Sequence, residues 1–293
     1  MKVAVSEEFV SDRRLLTDSS RWRLVTGWFP PEEPEYDDAA CRQWLDGGGS
    51  ESHHTREALF CLEGETSCGL DGKIYRCRPG TFMFFDTKAP HGSYYMPGTR
   101  DIRHLWFWFA RKTVFASVIA LDGKGAMGTS RSVILDQPVF CQWLNQEFGN
   151  LGKRAMPPEW KRQALLGLMM SLFVKTLEAA EAARLPVADG GDDLVDRQRC
   201  DIAMLTRHIT ESSGRDISLD RLARMANYSK YHFLRVFKKH TGLTVHEFVE
   251  RTRLKKQAEM LAAHCRSKEI AAELGFSSSS AYANWQRALL KKR

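Results

Sequence analysis

The 293-residue sequence predicts an α+β chain of two parts, a β-barrel with flanking helices followed by an all-α domain. Three observations predict it. Residues 1 to about 130 are rich in Gly, Pro and aromatics, with short β-rich runs between turn signals. Residues after about 196 read as helices with short breaks. The charge divides at the same place. Residues 196–293 hold 20 Lys and Arg against 10 Asp and Glu, a balance of +10, whereas residues 1–195 hold 23 against 26, a balance of −3.

In the first part, Ala58 to Leu62 is a short apolar run. Ser67 to Arg78 alternates around Asp71-Gly72, a strong hairpin signal because both turn positions tolerate positive φ. Pro79-Gly80 marks another turn, Thr81 to Phe85 is β-rich, and Pro97-Gly98 precedes Ile102 to Ala110. Strands so closely and regularly spaced predict a small barrel or sandwich. Trp106 and Trp108 fall on one face of their strand and Phe107 and Phe109 on the other, so both faces are expected to be covered.

Residues 136–185 read as a helical segment. Glu159 to Arg184 carries apolar residues at Leu165, Leu168, Met169, Leu172 and Leu177, which suit either packing on the barrel or a dimer seam. Pro186 to Val195, with two glycines and paired aspartates, reads as a linker to a domain at 196–293. The seven cysteines are odd in number and include no Cys-x-x-Cys pair, which predicts neither a disulfide framework nor a zinc cluster. No basic start leads into an apolar stretch, and no apolar run approaches the ~20 residues that span a bilayer. Reduced thiols and no export signal predict a cytoplasmic protein without a membrane partner.

The basic C-terminal part carries the chemistry. Ser218 is a good N-cap, and Leu222, Ala223 and Met225 form an apolar face. Ala226-Asn227-Tyr228 breaks the helix and Ser229 caps a second one, which Thr241-Gly242 ends. Phe233, Val236 and Phe237 are its core positions, and Lys230, Tyr231, Arg235, Lys238 and Lys239 fall mostly on the other side. Two short helices with a tight turn, the second basic on its free face, make a helix-turn-helix, whose second helix fits a DNA major groove. The small Ala223 permits the close helix crossing. Val245 to Ala263 reads as one long helix, after which Ser267 to Leu274, Gly275-Phe276 and Ser277 to Arg287 repeat the plan, with Ala271 in the place of Ala223.

The stretches LARMANYSKYHFLRVFKKHTGLTVHEFV, RLKKQAEML and EIAAELGFSSSSAY resemble the DNA-binding region of the AraC family of bacterial transcription regulators. The resemblance covers roughly residues 198–290. It implies two helix-turn-helix units on a rigid linker helix, reading adjacent major-groove segments. By position it implies a first reading helix from Ser229 to His240, with Ser229, Lys230, Tyr231, His232, Arg235, Lys238 and Lys239 toward DNA. The second would run from Ser278 to Ala288, with Ser279, Ser280, Asn284 and Arg287. The pattern departs from the family at Ser267, where an apolar residue is usual, and at Gln286, where an aromatic is usual.

Residues His53 to Gly92 resemble the cupin sensor barrel of the same family through their His pair, the Asp71-Gly72 hairpin, Pro79-Gly80 and Pro90-His91. That resemblance implies an effector-binding barrel over residues 1–135, with His53, Glu57, His91, Trp106 and Trp108 as candidate contacts. His53, His54, Glu57 and His91 also suit a metal set of the enzymatic cupins, but adjacent histidines on a strand point to opposite faces. Structural histidines and a plain aromatic core, including Trp22 and Trp28, are the remaining readings.

The sequence therefore predicts a non-enzymatic, cofactor-free, DNA-binding transcription regulator. It is expected to act as a homodimer on double-stranded DNA, under a small effector for which a sugar is the candidate, with RNA polymerase as a further partner. A metal-dependent cupin enzyme fused to a DNA-binding module is the alternative.

Overall fold

The computed structural model describes residue 15 and residues 18–52, 55–95, 101–110, 113–121, 127–148, 158–182, 193–215, 217–226 and 228–290. It divides into two compact units, Met1–Gly190 and Gly191–Arg293. The expected linker at 186–195 lies outside the described residues up to residue 192, and its last three residues already belong to a helix.

In the first unit the described strands are β1 (Arg23–Thr26), β2 (Arg56–Glu63), β3 (Thr66–Leu70), β4 (Lys73–Cys77), β5 (Thr81–Phe85), β6 (His91–Tyr94), β7 (Ile102–Phe109), β8 (Thr113–Leu121) and β9 (Met127–Asp136). The helices are α1 (Ala39–Trp44), α2 (Pro138–Phe148) and α3 (Pro158–Ala182). The hairpin signal places its turn as expected. Leu70 pairs with Lys73, and Asp71 and Gly72 both take positive φ, 51° and 78°. Gly80 also has a positive φ, 93°, and a Cβ there would stand 2.5 Å from the Arg21 carbonyl oxygen. Only glycine fits where β5 begins beside the chain entering β1.

The strands form two sheets rather than the single closed barrel the sequence predicts. Six strands run in the order β1-β5-β2-β7-β8-β9, with β1 and β5 parallel and the others antiparallel, and three run in the order β4-β3-β6. The small sheet's outer strands are met by connecting segments instead, through bridges Glu35 to Tyr75 and Glu51 to His91. Those edges are thereby occupied, and among the described residues no strand pairs across to close the sheet.

The two faces of the large sheet differ in chemistry because side chains alternate along each strand. One face carries Ala58, Phe60 and Leu62 of β2, Phe82 and Phe84 of β5, and Leu105, Phe107 and Phe109 of β7. These join Leu165, Met169, Leu172 and Phe173 of α3 in one buried core. The Phe60 and Phe82 rings stack at 3.9 Å, Trp22 lies 5.1 Å from both, and Phe173 meets Phe60 edge-on at 5.1 Å. Each such ring contributes about 1.5–3 kcal/mol of apolar burial. So α3 packs on the sheet, and Trp22 is core rather than pocket wall. The opposite face carries Glu57, Leu59 and Cys61, then Met83 and Phe85, then His104, Trp106 and Trp108, all buried. Both faces of β7 are covered, as its alternation requires.

The described elements of the second unit are helices: α4 (Asp193–Glu211), α5 (Leu219–Met225), α6 (Lys230–Thr241), α7 (Val245–Ala262), α8 (Ser267–Glu273) and α9 (Ser279–Leu290). Ile202, Leu205 and Ile209 recur at helical spacing on α4 and are buried, as are Leu222, Ala223 and Met225 of α5 and Phe233, Val236 and Phe237 of α6. A second cluster of Ile270, Ala271, Leu274 and Tyr282 is covered by Met260, Cys265, Phe276 and Trp285. Among the described residues no helix is long and apolar enough to cross a membrane.

Candidate nucleic-acid interface

Local chemistry starts and stops each helix of the basic unit. The Ser218 hydroxyl accepts the Arg221 amide at 3.1 Å and opens α5. The Ser229 hydroxyl accepts the His232 amide at 3.4 Å and opens α6, which ends at Gly242 with φ 72°. Thr244 and Glu247 form a reciprocal capping box at the start of α7. Thr244 holds the Glu247 carboxyl below the usual range, its backbone amide being the largest cause and its hydroxyl the next.

The turns of the two helical pairs are built alike. The Tyr228 amide donates to the Ala223 carbonyl at 2.8 Å, and the Phe276 amide donates to the Ala271 carbonyl at 2.8 Å. Ala223 and Ala271 are both buried at these crossings, 3% and 2% exposed. Any larger side chain would push the helices apart.

The second pair is one residue longer after its turn. Ser278, not Ser277, caps α9, its hydroxyl accepting the Ala281 amide at 3.1 Å. The reading helix expected from Ser278 therefore begins at Ser279, with Ser278 as cap. Tyr282 takes the core position that Phe233 holds in the first pair. Its hydroxyl accepts Gln257 at 2.6 Å and Gln286 at 2.8 Å. A polar trio thus includes Gln286, the position at which the sequence departs from the family's usual aromatic.

The predicted DNA contacts fall on the open face of α6. Lys230, Tyr231, Arg235, Lys238 and Lys239 are exposed, Tyr231 at 85%, opposite the buried Phe233, Val236 and Phe237. Lys230 pairs with Asp220 on α5 at 2.8 Å. His232 packs edge-on against Tyr228 at 4.7 Å and meets Arg235 at 3.1 Å. On α9, Ser279, Ser280, Asn284 and Arg287 are exposed, and Arg287 donates to the Asn284 side chain. The two pairs are tied together behind this surface. Arg253 of α7 donates to the Gly214 carbonyl at 2.9 Å and lies 5.1 Å over the Phe276 ring, while Ser213 donates to Glu273 at 2.9 Å.

Of the predicted effector contacts, His53 lies outside the described residues, as does His54. Glu57, Trp106 and Trp108 lie on the face of the large sheet opposite the α3 core, and His91 of the small sheet meets Glu57 there. His91 Nε2 stands 3.7 Å from Glu57 Oε2, its ring stacks on Phe85 at 4.3 Å, and Nδ1 is 2.8 Å from the Ala89 carbonyl. Trp106 and Trp108 stack at 6.0 Å, and Trp108 pairs across the sheet with Glu57.

Between that face and the small sheet lies a group that the spacing of the cysteines did not predict. Cys61 of β2, Cys77 of β4 and a ring nitrogen of His104 on β7 lie within 4.8 Å of one another. Hydrogen bonding to Cys61 pushes the Cys77 thiol well up, and hydrogen bonding to Cys77 does the same to Cys68. Burial pushes His104 down to about 4.

Comparison with known proteins follows from this geometry. A family described as "Helix-turn-helix domain" matches residues 222–292. The C-terminal unit is a helix-turn-helix domain, and it is of the AraC type. It is 38% identical over 73 residues to the "HTH-type transcriptional activator Btr" of Bacillus subtilis (strain 168), covering 24% of this chain and 14% of that protein. It is 29% identical over 80 residues to the "Uncharacterized HTH-type transcriptional regulator YbfI" of the same organism, covering 27% of this chain and 29% of the relative. The chain thus spans less than a third of either relative. A solved structure titled "The C-terminal domain of AraT, a response regulator from Geobacillus stearothermophilus" matches 33% of this chain and 75% of its own, at 23% identity and a TM-score of 0.26.

Proposed function

We propose that the chain is a sequence-specific DNA-binding transcription regulator. The observation that carries this reading is the open face of α6: five exposed residues, four of them cationic, set opposite three buried ones on a capped helix. Such a helix enters the ~12 Å major groove with its N-terminal residues at base edges and its later lysines at phosphates. The net +10 of residues 196–293 favours phosphate contact through counterion release. In this reading α9 enters the next segment of the groove through Ser279, Ser280, Asn284 and Arg287. The ties from Arg253 and Ser213 hold the two helices at a set spacing.

In the same reading the N-terminal unit is a cupin-like sensor for a small effector, with a sugar as the first candidate. Its contacts are Glu57 and His91 beside the stacked Trp106 and Trp108, a few polar groups among apolar walls. Effector binding shifts the DNA-binding units of a cytoplasmic homodimer and so changes operator affinity or contact with RNA polymerase; a coupling of ~1–3 kcal/mol suffices. The test is fluorescence anisotropy with the DNA upstream of the protein's own gene and with scrambled DNA, over a salt series. Own-promoter DNA is expected to bind at least ~10³-fold tighter, a preference lost in Lys230→Ala/Arg235→Ala. Equal binding to both DNAs, unaltered by that double variant and by candidate sugars, overturns the reading.

A further inference from the structure

We propose that Cys61, Cys77 and His104, with Cys68 as the fourth donor, form a closed Zn(II) site inside the N-terminal unit. The four come from different strands of both sheets: Cys61 and His104 from β2 and β7 of the large sheet, Cys68 and Cys77 from β3 and β4 of the small one. Cys61 and His104 are cross-strand partners in the register of β2 and β7, so their side chains leave the same face side by side. Cys61 Sγ lies 3.8 Å from the Cys77 carbonyl oxygen, and β3, which carries Cys68, pairs along the strand that carries Cys77.

Two independent features point to a cation rather than to thiols used as small apolar fillers. The first is distance: Cys61, Cys77 and His104 offer ligand atoms within 4.8 Å of one another. Around a tetrahedral Zn(II) such atoms stand about 3.5–3.8 Å apart, so these three need close by only about 1 Å, and Cys68, outside that group, moves in from the neighbouring strand as the fourth. The second is His104 itself. It is 0% exposed, and its Nε2 has no hydrogen-bond partner among the described residues. Its other nitrogen, Nδ1, is 3.2 Å from the Tyr95 hydroxyl. That is the arrangement of a ligating imidazole, with one nitrogen for the metal and the other donating to an outer partner that fixes the ring. An apolar filling residue has no use for either.

The donor chemistry selects the metal. Three thiolates and one imidazole are soft to borderline donors, which suit Zn(II) and reject Mg(II), Ca(II) and Mn(II). Four protein ligands leave no open position, so the site is structural and joins two sheets that no strand pairing joins among the described residues. One outer bond is in place: Cys68 lies 3.4 Å from the Ser93 hydroxyl, which can donate to a thiolate. The site uses none of the residues assigned to DNA or effector, so it stands or falls apart from the regulator reading.

The experiment uses the full chain, reduced, stripped with a chelator and titrated with Zn(II) against a chromophoric competitor. Co(II) is titrated in parallel as a spectroscopic stand-in. We expect one equivalent of Zn(II), a thiolate-to-cobalt charge-transfer band, and protection of three thiols from alkylation when Zn(II) is bound. Tyr95→Phe keeps every ligand and is expected to weaken Zn(II) about 10–100-fold. Cys77→Ser and His104→Gln are expected to lose the equivalent, and Cys265→Ser, on the other unit, to keep it. Absence of the cobalt band in wild type, a full equivalent in Cys77→Ser, or a reversible Cys61–Cys77 disulfide in air without Zn(II) uptake would each overturn the site.

Discussion

Lys230 reaches back from the first turn of α6 to Asp220 on α5, at 2.8 Å. Both side chains are about half exposed, so the pair itself contributes little to stability, about 0–1 kcal/mol. Its consequence lies in binding, because Asp220 competes with phosphate or base for the same ammonium group. Asp220→Asn is expected to raise DNA affinity, by up to about fivefold at low salt. Lys230→Ala is expected to lower it and to reduce the slope of affinity against salt by about one. Anisotropy titrations across a salt series read both, and unchanged affinity in Asp220→Asn would detach Lys230 from the DNA.

The crossing of α5 and α6 depends on two kinds of fit. Phe233 and Phe237 are fully buried and meet at 5.5 Å, so either change to Ala is expected to cost about 3–5 kcal/mol. Ala223→Leu overfills the same crossing and is expected to cost about 1–3 kcal/mol. Urea unfolding of the chain, followed by helical circular dichroism, checks the order of these effects. DNA affinity is expected to fall with them.

Tyr282 is the acceptor for two side-chain amides. Tyr282→Phe leaves those of Gln257 and Gln286 unmatched in a half-buried site, at a cost of about 1–3 kcal/mol. Tyr282→Phe/Gln286→Leu removes one amide with its acceptor and is expected to recover part of the loss. Equal stability of the single variant and wild type would show that water replaces the hydroxyl without cost.

The Thr244–Glu247 box has a pH signature. The folded carboxyl sits below its ordinary range, so the unfolded chain takes up the proton first as pH falls. The stabilisation is therefore present above the ordinary glutamate pKa of about 4.3 and is lost as pH drops through the folded value. Glu247→Gln is expected to be less stable than wild type near neutral pH and to converge with it in acid. Parallel unfolding curves at every pH would remove the box from the stability of α7.

Much of this was legible in the sequence for a physical reason: local patterns act over a few residues. The alternation in Ile102 to Phe109 assigns both faces of β7, and Asp71-Gly72 needs only its own φ angles to make a turn. The same holds for the α5–α6 pair, whose caps and buried triad lie within one short stretch. What failed was whatever depends on distant or degenerate information. Ser277, Ser278, Ser279 and Ser280 are equivalent as caps, so only packing of Tyr282 selects Ser278. Barrel closure was expected from strand spacing, but closure depends on which edges pair, and the edges of β4 and β6 are taken by residues 35 and 51. Cys61, Cys77 and His104 meet only through the pairing of sheets, which no spacing rule encodes. Among the candidate effector contacts, Glu57 and His91 come together across two strands that the sequence did not pair.

The 18 residues of α7 span about 27 Å and advance by about 100° each. Length and phase in such a helix cannot be varied separately. A single inserted residue would move α9 along by only ~1.5 Å but swing it a quarter-turn or more off its heading. A protein reading two neighbouring groove segments would then present its second reader to empty solvent. The helix is therefore a key cut to one groove phase, and insertions in it are expected to fail by angle before they fail by distance.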